Sequence, residues 1–243
     1  MHFNCDVGES FGSWNMGNDA AVMPYIDMAN IACGFHASDP VTMARTVALA
    51  VQHNVTIGAH PSYPDLQGFG RRDMQLSAEE LTQGVLYQMG ALQAICQAQG
   101  TRISYVKPHG ALYNRKAVDH EVLDSVMRAV AAFDTNLPLM MIAGVRQQEA
   151  QQLADRHGIK LLFEAFSDRA YNDDGTLVPR TQPGAVHTSV ERVIRQIREI
   201  TLQQMVTTIS GCQRSLTADS ICLHGDNEQL LSSIKEIRRT LQM

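Results

Sequence analysis

The chain has 243 residues, 44% of them apolar and 19% charged, with a formal net charge of −5. That length buries a substantial core and the composition is ordinary for a globular protein, so one domain over 1–243 is expected. The negative balance argues against nucleic acid as a partner, since Arg71-Arg72 and Arg238-Arg239 are too short to make a basic patch, and no apolar run is long enough to span a membrane.

Residues 3–5 read as a short first strand that runs into Asp6-Val7-Gly8-Glu9-Ser10, followed by a loop to about Pro24. The apolar run 26–32 reads as a buried second strand. Gly34 ends it, His36 follows, and Asp39-Pro40 opens a helix, with the Asp39 carboxylate as its cap. A third strand, 55–58, leads into Ala59-His60-Pro61-Ser62-Tyr63-Pro64-Asp65, and 67–72 is a Gly- and Arg-rich loop. Ser77 and Glu80 make a capping box before an apolar stripe of Leu81, Val85, Met89, Leu92 and Cys96. The fourth strand, 103–106, closes in Lys107-Pro108-His109-Gly110, and the next helix begins at Asp119. Strand 137–143 is followed by a helix that stops at Gly158, a good C-terminal residue. Strand 159–163 ends in Glu164-Ala165-Phe166-Ser167-Asp168-Arg169, and Asn172-Asp173-Asp174-Gly175 is a turn. Thr188 and Glu191 cap a further helix. A seventh strand, 220–223, ends in His224-Gly225-Asp226, and a last helix bears Leu230, Ile234, Ile237 and Leu241. Five cysteines without a Cys-x-x-Cys pair, and an amino terminus lacking the basic and apolar parts of a leader, lead us to expect a cytoplasmic protein.

Strands alternating with helices imply parallel pairing through right-handed crossovers. The fold expected is α/β: an incomplete or distorted (β/α) barrel with about seven parallel strands. A doubly wound open sheet is the alternative, disfavoured because no Gly-x-Gly-x-x-Gly follows the first strand. In a barrel all strand carboxyl ends share one rim, so the polar residues there should meet. The acids and amides are Asn4, Asp6, Glu9, Asn30, Asp65, Glu164, Asp168 and Asp226. The basic groups are His36, His60, Lys107, His109, Arg169 and His224. Such a set suits proton transfer, metal binding or anion recognition, and Lys107 reads as either a cation or a base. Blander roles compete. Asp39 and Asp226 precede helices and can be caps, Asp168 and Arg169 can be a rim ion pair, and Cys33 at an apolar strand end is packing more readily than a nucleophile.

Asn4-Cys5-Asp6-Val7-Gly8-Glu9-Ser10, Ala29 to Pro40, Gly58 to Asp65, Gly68-Phe69-Gly70-Arg71-Arg72, Val106 to Asn114, Ala165 to Tyr171 and Cys222-Leu223-His224-Gly225-Asp226 together resemble the LamB/YcsF family, in order and over nearly the whole chain. Ser38 and Ser167 depart slightly, standing where Gly or Ala is expected. The resemblance implies a barrel of the glycoside hydrolase/deacetylase kind. It also implies ATP-dependent hydrolysis of 5-oxo-L-proline to L-glutamate, as one subunit working with B and C subunits. Self-association of this chain stays open.

Under that reading Asp6, Glu9 or His60 orients or deprotonates water. Lys107 holds phosphate or the substrate carboxylate, with Arg71 or Arg72. His109, His224 and Asp226 complete a proton relay or hold a divalent ion such as magnesium. Asn4, Asn30, His36, Asp168 and Arg169 are further substrate or phosphate contacts. No Gly-x-x-x-x-Gly-Lys-Ser/Thr loop is present, so a nucleotide site is of another kind or lies partly on a partner, and the 68–72 loop offers amides and cations for phosphate. Two other readings remain: a metal-dependent amidohydrolase or deacetylase holding its ion with Asp6, His36 and His60, and a non-catalytic scaffold.

Overall fold

The computed structural model describes residues 1–223 and Arg238. Six strands come first: β1 (His2–Val7), β2 (Met28–Ala32), β3 (Thr56–His60), β4 (Tyr105–Val106), β5 (Leu139–Ile142) and β6 (Leu161–Phe166). A small antiparallel hairpin of β7 (Met205–Thr207) and β8 (Gln213–Ser215) precedes β9 (Ser220–Leu223). Strands β1 to β6 and β9 form a closed ring in that order, and every neighbouring pair is parallel. The seven-stranded barrel expected from the alternation is present, and the open sheet is excluded.

The helices that cover the ring start where local chemistry allows. A one-turn α1 (Asp19–Val22) lies in the first connection. Asp39 caps α2 (Pro40–Gln52) by accepting from the amides of Val41 at 2.8 Å and Thr42 at 3.0 Å. Ser77 and Glu80 form the reciprocal cap of α3 (Ala78–Ala98). A helix not expected from the sequence, α4 (Gly110–Lys116), follows β4 directly. It has no side-chain cap; instead the Ala111 amide donates to Gly70 O at 2.8 Å, a tertiary contact that sequence pattern does not reveal. After it come α5 (His120–Phe133), capped by Asp119, and α6 (Gln147–His157), ended by Gly158. Ser189, one residue later than expected, caps α7 (Val190–Arg198).

Outward-facing Phe3, Cys5, Val7, Ile31, Ile57 and Val106 belong to the main apolar core between ring and helices. Inside the ring the lowest layer is apolar: Met28, Met140 and the Tyr105 ring, with Leu162 against them. Strand β6 runs past the expected end at 163 because Glu164 and Phe166 pair with Ser220 and Cys222 of β9. That extension carries Glu164 into the barrel interior. Among the described residues, no helix is long and apolar enough to cross a membrane.

Candidate active site

Above its apolar layer the ring is lined with polar side chains that bond to one another. The β1–β2 register sets Asp6 opposite Asn30. The Asn30 amide donates to Asn4 Oδ1 at 2.8 Å and to Asp6 Oδ1 at 2.7 Å, and its oxygen accepts the Tyr105 hydroxyl at 2.6 Å. Tyr105 reaches Asn30 by passing over Gly58, where a Cβ would overlap the aromatic ring.

Lys107, the first residue after β4, sends its amino group into this network. Its Nζ is 3.0 Å from each of Asn4 Oδ1, Asp6 Oδ1 and Glu164 Oε2, and 3.2 Å from Cys222 Sγ. Burial disfavours the charge, but Asp6 and Glu164 outweigh it and hold Lys107 well above the ordinary lysine range. Of the two roles the sequence left open, Lys107 is therefore the cation. Burial also pushes the Cys222 thiol well up, so the sulfur facing Lys107 is neutral.

Three imidazoles meet at the mouth: His36 beyond β2, His60 at the end of β3, and His109 at the start of α4. His36 and His109 stack in parallel, with centroids 3.8 Å apart and planes 4° from parallel, and His60 meets both edge-on. Each ring has one nitrogen on a fixed outer partner: His60 Nδ1 on Lys107 O at 2.6 Å, His109 Nε2 on Phe69 O at 2.9 Å, and His36 Nδ1 on Ser62 Oγ at 3.0 Å. Gln88 of α3 clamps the Ser62 backbone from both sides, accepting from its amide and donating to its carbonyl at 2.9 Å each. Phe69 offers its carbonyl from a left-handed backbone, φ +54°. Gly70 follows at φ +63°, where a Cβ would press within 2.8 Å of His36 Cβ and 2.9 Å of His109 Cδ2.

The inner nitrogens converge. His60 Nε2 is 2.9 Å from His109 Nδ1 and 3.3 Å from Asp6 Oδ2, while Glu9 Oε1 is 3.2 Å from His36 Nε2 and 3.5 Å from His109 Nδ1. The donor atoms of Glu9, His36, His60 and His109 all lie within 4.8 Å of one another, and the group could hold a metal ion. Burial, and then the neighbouring imidazoles, keep His36 and His109 well below the ordinary range, while burial raises Glu9.

A cavity of about 680 Å³ opens above these groups. Asp6, Glu9, His60 and Lys107 form its floor, and Arg71, Arg169 and Arg180 stand on its walls. Arg169 is buried, with Nε donating to Ala185 O at 3.3 Å and Nη2 to Val178 O at 2.7 Å. Burial, and after it Arg180, bring Arg169 down to about 10, which still leaves it charged in neutral solution. A wall of guanidinium groups over a buried cation is complementary to an anion.

Asn4, Asp6, Asn30 and Lys107 thus meet inside the ring, Glu9, His36, His60 and His109 at its mouth, and Arg71 and Arg169 above. Arg72 does not join them: it ion-pairs with Asp65, its side chain 64% exposed. Arg169 turns to backbone carbonyls, and Asp168 is buried beside it. His224 and Asp226 lie outside the described residues. The expected ion-binding trio also regroups, because Asp6 Oδ1 faces Lys107 and Glu9 and His109 complete the set around His36 and His60. Nor do the amides of 68–71 cradle phosphate: Gly68 bonds Asp65 Oδ1, Phe69 bonds Leu66 O, Gly70 bonds Asp65 O and Arg71 bonds Gly68 O. Sequence reasoning missed Ser62, Phe69, Tyr105 and Arg180. Ser62, two residues beyond His60, Phe69, inside the Gly- and Arg-rich loop, and Tyr105, two residues before Lys107 on the same strand face, carried a positional signal, whereas Arg180 carried none.

Comparison with known proteins identifies the family. The model of the LamB/YcsF family matches residues 1–243. The chain is 53% identical to the 5-oxoprolinase A-subunit of Chromohalobacter salexigens over 235 residues, covering 97% of this chain and 94% of that one. The A-subunit of a Vibrio cholerae 5-oxoprolinase is 52% identical over 241 residues, 99% and 97% of the two chains. Among solved structures, a lactam utilization protein from Thermus thermophilus superposes with a TM-score of 0.91 at 39% identity, covering 99% of this chain and 95% of that one. A putative cellobiose-phosphate cleavage protein from Enterococcus faecalis, at 14% identity and a TM-score of 0.53, covers 99% of this chain and 93% of its own, and shares the fold alone. With the motifs from Asn4 onward in the family's order and the family's model matched from end to end, the chain belongs to the LamB/YcsF family.

Proposed function

We propose that this chain is the lactam-opening subunit of a 5-oxoprolinase, hydrolysing 5-oxo-L-proline to L-glutamate with cleavage of ATP to ADP and phosphate, in a complex with B and C subunits. The observation that carries the reading is the Lys107–Asp6 pair on the floor of an arginine-walled cavity. The names of relatives more than half identical to this chain point the same way.

A five-membered lactam is an unstrained amide, and its open product re-closes readily, so direct hydrolysis has little driving force. Transfer of the terminal phosphoryl group of ATP to the lactam oxygen supplies it. Water then adds to the activated carbon, the C–N bond breaks as nitrogen takes up a proton, and a second water splits the resulting acyl phosphate into glutamate and phosphate. In this scheme Asp6 receives the proton of the attacking water, and Lys107 stabilises the negative charge that develops on oxygen. Arg71 and Arg169 hold the substrate carboxylate or the phosphoryl group. A divalent ion held by Glu9, His36, His60 and His109 would supply Lewis-acid polarisation.

ADP release, followed with this chain alone, with its B and C partners, and with or without 5-oxoproline, tests the proposal. ADP formed only when 5-oxoproline and all partners are present, and lost with Lys107→Ala in an assembled complex, is the expected result. Full activity of that variant would reduce the chain to a scaffold. The four-donor cluster favours one second reading, a metal-dependent amidohydrolase that needs no ATP. Glutamate formed without nucleotide would select it.

A further inference from the structure

Hydrogen-bond chemistry fixes the tautomers of the three imidazoles. A carbonyl oxygen only accepts, so His60 Nδ1 and His109 Nε2, bonded to Lys107 O and Phe69 O, both carry hydrogen. The Ser62 hydroxyl donates to Tyr63 O at 2.8 Å, which leaves its oxygen to accept from His36 Nδ1–H. A neutral imidazole has a single N–H. The remaining nitrogens, His60 Nε2, His109 Nδ1 and His36 Nε2, therefore point bare lone pairs at one spot beside the Glu9 carboxylate.

Two of those lone pairs, on His60 Nε2 and His109 Nδ1, are 2.9 Å apart. At that distance they repel unless positive charge sits on them. Protons alone would have to be added twice, once between His60 and His109 and once between His36 and Glu9. One divalent ion satisfies all four atoms together. The spacing is near that of such an ion: a tetrahedron with bonds of about 2.0–2.1 Å has edges of about 3.4 Å, while three of the six separations here are 2.9, 3.2 and 3.5 Å and all six fall within 4.8 Å, so binding draws the four donors slightly together. The three outer partners are the second layer that orients metal-bound histidines elsewhere.

We propose that Glu9, His36, His60 and His109 form a mononuclear centre for a borderline transition ion of the zinc class, not for the magnesium that accompanies a nucleotide. Three imidazole nitrogens and one carboxylate suit zinc or cobalt, whereas magnesium takes oxygen donors in octahedral geometry. The centre goes beyond the lactam-opening reading, and its test involves neither ATP nor 5-oxoproline, so either can fail alone.

The test uses the full-length protein, stripped with a chelator and titrated with Co²⁺ while visible absorption is recorded. The expected result is one equivalent bound with the intense bands of tetrahedral cobalt, displaced by stoichiometric Zn²⁺ and indifferent to millimolar Mg²⁺. His109→Ala should abolish those bands. Ser62→Ala, which touches only the outer layer, should weaken Co²⁺ binding about ten-fold with an unchanged circular dichroism spectrum. Folded wild-type protein that takes up no Co²⁺ or Zn²⁺, or uptake that survives His109→Ala undiminished, would overturn the proposal. Displacement of Co²⁺ by Mg²⁺ would overturn it as well.

Discussion

The aromatic ring of Tyr105 occupies the space in which Gly58 would carry a side chain. That gap lets a residue of β4 cross above β3 and bond Asn30 on β2 at 2.6 Å. Gly58→Ala should force Tyr105 out of its rotamer, at about 1–3 kcal/mol for overpacking. Tyr105→Phe should lose about 1–3 kcal/mol by leaving the Asn30 oxygen short of a donor. Urea midpoints of the two variants check both figures. A Gly58→Ala protein as stable as wild type would mean that the ring yields without strain.

Lys107 is the cation that Asp6, Glu164 and Asn4 share, and Lys107→Met would leave two carboxylates facing each other inside the barrel. Removing one side of a buried ion pair costs about 3–5 kcal/mol. The sign with pH follows from which state binds the proton. In wild type the raised Lys107 contributes stability that is complete below the unfolded lysine value and is lost only as pH climbs through the higher folded value. In Lys107→Met the orphaned carboxylates favour protonation in the folded state, so its deficit should shrink on acidification. Thermal unfolding of both proteins at pH 5 and pH 7.5 measures this, and a deficit that grows toward pH 5 would contradict it.

Lys116, on the last turn of α4, presents the opposite case. Its amino group is buried, 3.2 Å from Met141 Sδ and 4.1 Å above the Tyr113 ring, with no carboxylate bonded to it among the described residues. Burial lowers it to about 7. Between about 7 and the unfolded lysine value of about 10.4 the unfolded chain binds the extra proton, so stability rises with pH across that window, and the cost is complete below it. Lys116→Met should therefore stabilise the protein at pH 6 by a few kcal/mol, and the gain should fade toward pH 10. Melting temperatures across that range decide the matter.

Arg71 and Arg72 are adjacent in sequence but differ in surroundings. Arg71 lines the cavity and lies 5.0 Å over the Phe69 ring, whereas Arg72 pairs with Asp65 on the outside. In the assembled enzyme Arg71→Ala should raise the KM for an anionic substrate about ten-fold, the equivalent of one charge-assisted contact. Arg72→Ala should leave it within about two-fold. Equal effects of the two substitutions on KM would place the anion elsewhere.

The barrel was legible because its strands and helices alternate and its caps lie where short polar side chains precede apolar runs. Convergence of His60, Lys107 and His109 was legible too, since each lies at or just beyond a strand end and parallel strands share one rim. The polar interior was harder to read. Phe3-Asn4-Cys5-Asp6-Val7 alternates like a strand with one wet face, and only closure of the ring puts Asn4 and Asp6 inside it. Glu164 was counted among the strand-end residues expected to meet, but its pairing with Lys107 inside the ring was not legible, because β6 gains residues from pairing with β9. No local pattern announces α4, which begins against Gly70. Arg180 comes to the cavity on the long connection after β6, and a residue carried on such a loop has no periodicity to betray its position.

Glu9, His36, His60 and His109 belong to four successive segments of the chain, and the acceptors that steer the rings add Ser62 and Phe69. Opening any one of these connections removes a donor or lets a ring swing, so no subset of the chain can keep the quartet together. Anything that fills it should slow amide exchange in all of these segments by a common factor, because each then opens only when the whole protein does. The quartet would act as a clasp on the folded state, and emptying it would loosen the first half of the barrel as one piece.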